Sequence, residues 1–178
     1  MNRIAIDRTG NQTTVTVSRW PNEDAPFQIS TSAPSAGISA LPGPVKEAIN
    51  KRNQRGGAAK GRVLYAEQLG LSGRRITVGA LILHITEKGE PEILNLGVAD
   101  FKVGQDRRQL IATMLACVVS IAIECDSRSV SWLVHGDKAA KAAAAFGFRR
   151  LPQGRSPRGT IRLGRQVQNL SGRLSAAG

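Results

Sequence analysis

Residues 107–124 form an eighteen-residue stretch without glycine or proline that is apolar around most of its circumference when drawn as a helix. A helix that is apolar on nearly all sides is stable only when other elements cover it, so this stretch predicts the buried helix of a layered fold. Its longest apolar run, residues 110–123, is shorter than the roughly 20 residues that a membrane-spanning helix needs. We therefore expect no membrane association from it.

Residues 76–86 predict a central β-strand, because apolar side chains occupy both of its faces. Strict alternation would place Val78 on one face and Leu81 on the other. A turn at residues 87–91 leads to a partner strand over residues 93–101, which predicts an antiparallel hairpin. Shorter strands are predicted over residues 63–66, 129–135, 148–151 and 160–163.

Two further helices are predicted over residues 44–53 and 138–146, the second capped by Asp137 and ended by Gly147. The remaining segments predict a hairpin over residues 4–17, a loop over residues 21–44, and a disordered tail from residue 166. This interpretation divides the chain into three parts. Residues 1–43 are an N-terminal hairpin and loop packed on the core, residues 44–165 are one domain, and residues 166–178 are a flexible basic tail.

The charge is strongly positive and clustered. Lys and Arg number 25 against 13 Asp and Glu, which gives a net charge of +12. Residues 46–75 carry eight basic and two acidic side chains, and seven arginines with no acid follow from Arg149. Basic clusters of this kind indicate an anionic partner, which is a nucleic acid, a phosphate-bearing cofactor, or an acidic protein or membrane face. Segments 46–75 and 149–173 are where an acidic protein or a nucleic acid would bind, although a purely solubilising charge stays open.

The two cysteines and two histidines show no metal-ligand spacing, so no metal site is predicted. The first residues contain no apolar segment typical of a secretory signal. Free cysteines within an apolar helix suit a reducing compartment, so we expect a cytoplasmic protein without membrane contact.

The order of elements, with three local motifs, resembles the GCN5-related N-acetyltransferase (GNAT) superfamily. The motifs are the strand pair that runs into the long helix, the sequence Arg107-Arg108-Gln109-Leu110-Ile111-Ala112 at the start of that helix, and Phe146-Gly147-Phe148 after a short alanine-rich helix. The resemblance covers roughly residues 60–165. It implies an α/β (α+β) fold with a mixed, mostly antiparallel sheet, splayed between strands 93–101 and 129–135, with helices on both faces.

The resemblance also implies that acetyl-CoA binds at the start of the long helix, where unpaired N–H groups and the helix dipole attract a diphosphate. Leu110 stands where the family has its middle glycine, and Ala112 fits the last small position. The residues expected to bind coenzyme A are Phe101, Lys102, Val103, Arg107, Arg108, Gln109, Leu110, Ile111 and Ala112.

The family's catalytic tyrosine, four residues before the glycine of Gly-Phe, is replaced by Ala143. His135 is therefore the first candidate for proton transfer, because imidazole titrates near neutral pH. Glu67 and Asp100 are further candidates, and a merely structural histidine stays open as the alternative. Cys117 lies in an apolar run, where a thiol stays protonated and inert.

The expected function is acetyl-CoA-dependent N-acetyl transfer to an unidentified amine. The alternative is a catalytically degenerate GNAT-fold protein that serves as a basic nucleic-acid- or protein-binding module. Aromatic residues are scarce in both basic segments, which disfavours sequence-tolerant binding of single strands by base stacking.

Overall fold

The computed structural model describes residues 27–31, 33–34, 37–54, 61–69, 74–99, 107–152 and 160–170. The predicted hairpin over residues 4–17 lies outside this part of the chain. The elements in chain order are β1 Phe27–Ser30, α1 Gly43–Gln54, β2 Arg62–Leu69, β3 Arg75–Ile85, β4 Pro91–Val98, α2 Arg107–Glu124, β5 Ser129–His135, α3 Gly136–Ala145, β6 Arg149–Arg150 and β7 Thr160–Gln166.

The strands form a seven-stranded sheet in the order β1-β2-β3-β4-β5-β7-β6. Its pairs are antiparallel except for β4 with β5, which is parallel. One face packs against α2 and α3 to form the larger hydrophobic core. The other face packs over β2 and β3 against α1, through Val45 and Ile49. The predicted α/β fold, with a mixed, mostly antiparallel sheet and helices on both faces, is confirmed.

Helix α2 is the buried centre that its sequence predicts. Ten of its side chains are buried. Nine of them lie within residues 113–122, where only Ser120 is not buried. Burying a leucine, isoleucine or methionine contributes about 1.5–3 kcal/mol, and Leu110, Met114, Leu115 and Ile121 are each at most 1% exposed. The helix therefore fixes the position of every strand that it contacts.

The structure corrects three local predictions. Residues 21–44 were expected as a loop, but β1 lies within them, because pairing with β2 buries the alternating side chains Phe27 and Ile29. Asp137 does not cap α3, since the cap position is His135 and no side chain bonds there. Asp137 instead pairs with Arg150 across 3.2 Å. Val78 shares a core with Leu81 because a β-bulge interrupts the alternation of β3.

Residues 166–170, the start of the predicted tail, lie in regular elements. Gln166 ends β7, and residues 167–170 form a helical turn. Val167 is 7% exposed and Leu170 is fully buried in the larger core, so the expectation of disorder was wrong for this turn. Residues 171–178 lie outside the described part of the chain.

Candidate functional site

A wedge-shaped gap separates the C-terminal halves of β4 and β5. The two strands pair at only two positions, the second of which joins Ile93 to Trp132, although β4 continues to Val98 and β5 to His135. Beyond those positions, within the described residues, β4 pairs only with β3 and β5 only with β7. The facing edges keep backbone groups that no strand uses, so the gap can accept an extended ligand that bonds as a strand does.

A β-bulge marks the point at which the strands part. In the pairing of β3 with β4, Ile82 faces Asn95 and Leu83 faces Ile93, so Leu94 is the extra residue. A bulge bends its strand and increases the local twist. Because Leu94 directly follows the last residue of β4 that pairs with β5, the bulge directs the rest of β4 away from β5 and confirms the splay expected there.

The start of α2 lies beside the open end of this gap. Gly79 pairs with Val98, the last residue of β4. A Cβ atom added to Gly79 would lie 3.4 Å from Leu110 Cδ2 and 3.0 Å from Met114 Sδ, so the first turns of α2 pack directly on this glycine. A helix N-terminus offers N–H groups and a positive dipole end, which together favour an anion at the mouth of the gap.

The expected coenzyme A residues divide into three groups by position. Arg107, Arg108 and Gln109 are exposed on the first turn of α2. Leu110 is fully buried, so its side chain fills the core beneath the sheet and does not crowd the helix start. The residues at the next two positions, Ile111 and Ala112, are half-buried against the core. Phe101, Lys102, Val103 and the catalytic candidate Asp100 lie outside the described residues.

His135 lies at the same end of the gap, on the opposite wall from α2. It is the last residue of β5, it is exposed, and its backbone caps α3. Val134 before it is buried in the larger core, so strand alternation directs His135 to the other face of the sheet. The structure therefore places His135 at the end of β5, beyond the two positions at which β4 and β5 pair.

Glu67 and Ala143 do not join this group. Glu67 is 8% exposed on β2, where it pairs with Thr77, and the strand order separates β2 from the gap by β3 and β4. Ala143 is fully buried on the core side of α3, and its carbonyl accepts N–H bonds from Phe146 and Phe148. Ala143 O thus completes the turn at Gly147, whose φ of +83° is the left-handed conformation that favours glycine.

The Cys117 thiol is not a candidate for the chemistry of the site. Burial raises the pKa of the Cys117 thiol to about 12, so it is protonated at neutral pH and is not a nucleophile. Within the described residues, no cluster of three or more His, Cys, Asp or Glu side chains could hold a metal ion. No helix in those residues has both the length and the apolarity needed to cross a membrane.

A cavity of about 610 Å³ lies at the outer edge of the sheet, beside β5, β6 and β7. Its lining includes Arg149, Arg162 and Glu90. Arg162 forms an ion pair with Glu92 across 3.1 Å, which neutralises part of the positive charge. The sequence indicated a basic C-terminal segment, but only the strand pairing shows that these arginines share one surface.

No family model matches the chain, and no curated protein does. Among solved structures, a chain of the KacTA–DNA complex matches with a TM-score of 0.59 and 16% identity, over 84% of this chain and 99% of that one. A GNAT family acetyltransferase from Elizabethkingia anophelis with acetyl-CoA bound matches with a TM-score of 0.54 and 16% identity, over 80% and 99%. A tyrosine-to-phenylalanine mutant of the toxin AtaT, bound to the C-terminus of the antitoxin AtaR, matches with a TM-score of 0.60 and 13% identity, over 82% and 94%.

Proposed function

Because the fold of this chain is that of the GNAT acetyltransferases, we propose that it transfers an acetyl group from acetyl-CoA to an amine. The observation that carries the proposal is the gap between β4 and β5, which opens beside the start of α2. The gap offers unpaired strand edges to an amide-containing chain, and the helix start offers N–H groups to a diphosphate. Both features match the chemistry of coenzyme A.

The cofactor contacts follow from these two features. Arg107 and Arg108 are exposed on the first turn of α2, where their guanidinium groups can form charge-assisted hydrogen bonds to phosphate oxygens. Lys102, in the connection between β4 and α2, adds a third cation. Burial of Leu110 supports the assignment, because the leucine that replaces the family's middle glycine directs its side chain into the core and leaves the helix start accessible.

Acetyl-CoA, when bound, supplies an acetyl group activated as a thioester. The chain's own contribution is to hold the amine against the acetyl group in the orientation in which the two react. Such positioning supplies a large part of the rate gain in reactions between two bound molecules. His135, at the end of β5, accepts the proton that the amine loses. Position 143 is alanine, so no tyrosine there could protonate the departing thiolate; the proton that His135 takes from the amine would be returned to that thiolate as the thioester C–S bond breaks.

The acceptor is an amine on, or next to, an anionic molecule. The support is the net charge of +12 and its concentration in segments 46–75 and 149–173. The structures of similar fold include one in complex with DNA and one bound to the C-terminus of an antitoxin, so both nucleic-acid and protein partners are compatible with this scaffold. The two free cysteines suit the reducing cytoplasm, where we place the reaction.

Acetyl-CoA should raise the melting temperature of the full chain, since a ligand that binds only the folded state stabilises it by about 2.7 kcal/mol at a hundredfold excess over its dissociation constant. Arg107→Glu combined with Arg108→Glu should abolish this shift by placing negative charge at the helix start. The matched control is Arg74→Glu with Arg75→Glu, an exposed arginine pair at the start of β3, which should keep the shift. Absence of any shift at millimolar acetyl-CoA would refute the cofactor proposal.

A second candidate is a GNAT-fold module that binds a partner without catalysis. It is favoured by Ala143, whose complete burial leaves no room for a tyrosine that could act at the gap without rearranging α3. In that case the protein binds a short duplex or an acidic peptide but transfers no acetyl group to a broad amine panel. If the protein acetylates an amine in the panel and the Arg107/Arg108 double variant does not, the protein is an enzyme and the second candidate is excluded.

A further inference from the structure

A second, smaller cavity lies between the C-terminal end of α1 and the start of β2. It measures about 300 Å³ and is lined by Arg52, Asn53, Arg62, Thr31 and Tyr65, with two apolar neighbours. Tyr65 pairs through Ala80 with Gly97 of β4. Two strand spacings of about 4.8 Å therefore separate the backbone of Tyr65 from the strand that lines the gap, a distance of about 10 Å.

The cavity carries positive charge that no described carboxylate neutralises. None of its lining residues is acidic. The guanidinium group of Arg62 makes no hydrogen bond or ion pair with the described residues. Arg52 donates from Nε and Nη2 to the carbonyl of Gly61, which uses two of its five N–H donors and orients the guanidinium. The larger cavity differs in this respect, because Glu90 lines it and its Arg162 forms an ion pair with Glu92.

Tyr65 adds a hydrogen-bond donor to this pair of arginines. It is 4% exposed, and its phenol has no hydrogen-bond partner in the described part of the chain. Burial raises the pKa of Tyr65, and the nearby charge of Arg52 opposes the rise only in part, so the phenol keeps its proton at neutral pH. A tyrosine can bury its ring while its hydroxyl reaches a polar space, so the Tyr65 O–H is placed to donate to a ligand atom in the cavity that it lines.

We propose that this cavity binds an anionic group, a phosphate or a carboxylate, that belongs to the amine acceptor and not to acetyl-CoA. Two guanidinium forks and one O–H donor suit a group with several acceptor oxygens. The anion site stands on the cavity itself, and only its assignment to the acceptor rests on the proposed acetyl transfer. The separation of about 10 Å from β4 matches an acceptor whose charged group and reacting amine lie at opposite ends.

Tyr65 is the sole tyrosine of the chain, so ring-labelled tyrosine gives one reporter inside the cavity. Inorganic phosphate and, separately, acetate are titrated into the full-length protein at constant ionic strength while the ring signal is followed by NMR. We expect a saturable shift, and the tighter of the two anions identifies the group. No saturable shift with either anion would overturn the proposal.

The variants locate the binding. Arg62→Gln should weaken it by about 10- to 100-fold, the loss expected for one hydrogen bond to a charged group, and Arg62→Lys should weaken it less because the charge remains. The control is Lys51→Gln, which removes one positive charge from α1, the helix that carries Arg52, at a 63% exposed side chain outside the cavity. Equal weakening by Arg62→Gln and Lys51→Gln would reduce the effect to net charge and contradict the site.

A third measurement separates acceptor from cofactor. Phosphate is titrated again with the protein saturated in acetyl-CoA, and we expect the Tyr65 shift to persist. Displacement by acetyl-CoA would overturn the proposal, because it would assign the anion to the cofactor. If acetyl-CoA does not bind at all while phosphate shifts Tyr65, the acetyl transfer and the acceptor assignment both fall, and the anion site alone remains.

Discussion

His135 is the side chain to which the proposed mechanism assigns proton transfer. It ends β5 at the open end of the gap, and it is exposed, so both an amine and solvent can reach it. If it accepts the amine proton, His135→Ala should lower turnover by about 10²- to 10⁴-fold, the usual contribution of a general base. The affinity for acetyl-CoA should barely change, because the diphosphate site lies on α2. Steady-state kinetics and a thermal shift measure the two quantities.

The pH–rate profile separates catalysis from structure. If His135 accepts the amine proton, the pH–rate profile of the His135→Ala variant should differ from that of the unmodified protein, because the general base is gone. His84→Ala is the matched control, since His84, the other histidine of the chain, lies on β3 away from the open end of the gap. An unchanged rate and profile for His135→Ala would remove it from the mechanism and leave positioning alone.

Gly97 shows how a single glycine sets the distance between two elements. A Cβ atom at this position of β4 would lie 2.3 Å from Val45 Cγ2, so α1 packs on the strand where only glycine leaves room. Gly97 belongs to the half of β4 that pairs with β3 but not with β5, and this half also lines the gap. The packing of α1 and the shape of the gap therefore depend on the same short segment.

At the scale of elements, β4 and α2 act as one unit. The bulge at Leu94 directs β4 away from β5, and the close packing of Leu110 on Gly79 fixes the start of α2 beside the end of β4. The free edge of β4 is thus positioned by a bulge and the start of α2 by side-chain packing, and both lie at the open end of the gap. Neither element alone would form a binding site.

The C-terminal turn is a structural element, although its sequence resembles a tail. Leu170 is fully buried in the larger core, so Leu170→Ala should destabilise the protein by about 2–5 kcal/mol, through lost apolar transfer energy and the cavity left behind. Chemical denaturation followed by circular dichroism measures the change in the free energy of unfolding. Gln168→Ala, at an exposed position of the same turn, should change it by less than about 0.5 kcal/mol. Equal stability of the two variants would show that the turn does not dock.

At the scale of the molecule, positive charge is distributed over several separate places. Arg107 and Arg108 start α2, Arg52 and Arg62 line the smaller cavity, and Arg149 lies on the outermost strand. A partner with many phosphates could contact more than one of these places at once. Such binding depends on counterion release and therefore on salt.

Binding of a short duplex by the full-length protein should weaken steeply as salt rises, with a log–log slope of about −0.9 for each phosphate neutralised. Arg149→Gln should reduce the magnitude of that slope by about 0.9 if Arg149 contacts one phosphate. Fluorescence anisotropy over a range of salt concentrations gives the slopes. Lys88→Gln, in the exposed turn between β3 and β4 and outside both basic segments, should leave the slope unchanged. Affinity independent of salt would contradict the role of the basic segments.

Short-range polarity patterns were sufficient to predict α2, β3 and β5. A helix that is apolar around its circumference over 18 residues is stable only when other elements bury it, so residues 107–124 predicted a buried helix. The alternating apolar residues of 129–135 are typical of a strand with one buried face. The helix start became a candidate coenzyme A site through the resemblance to the GNAT superfamily, which rested on the order of the elements and on three local motifs. His135 became a candidate for proton transfer because it ends the predicted strand and carries an imidazole.

Only the tertiary structure decided which residues meet. The pairing that turns Phe27 and Ile29 into a strand, the bulge at Leu94, the burial of Leu170 and the separation of Glu67 from the gap all depend on partners distant in the chain. Arg52 of α1 and Tyr65 of β2 likewise share a cavity only because the helix packs across the sheet. Local sequence fixes the preference of a segment, whereas pairing register and burial are properties of two segments together, so a one-dimensional pattern does not contain them.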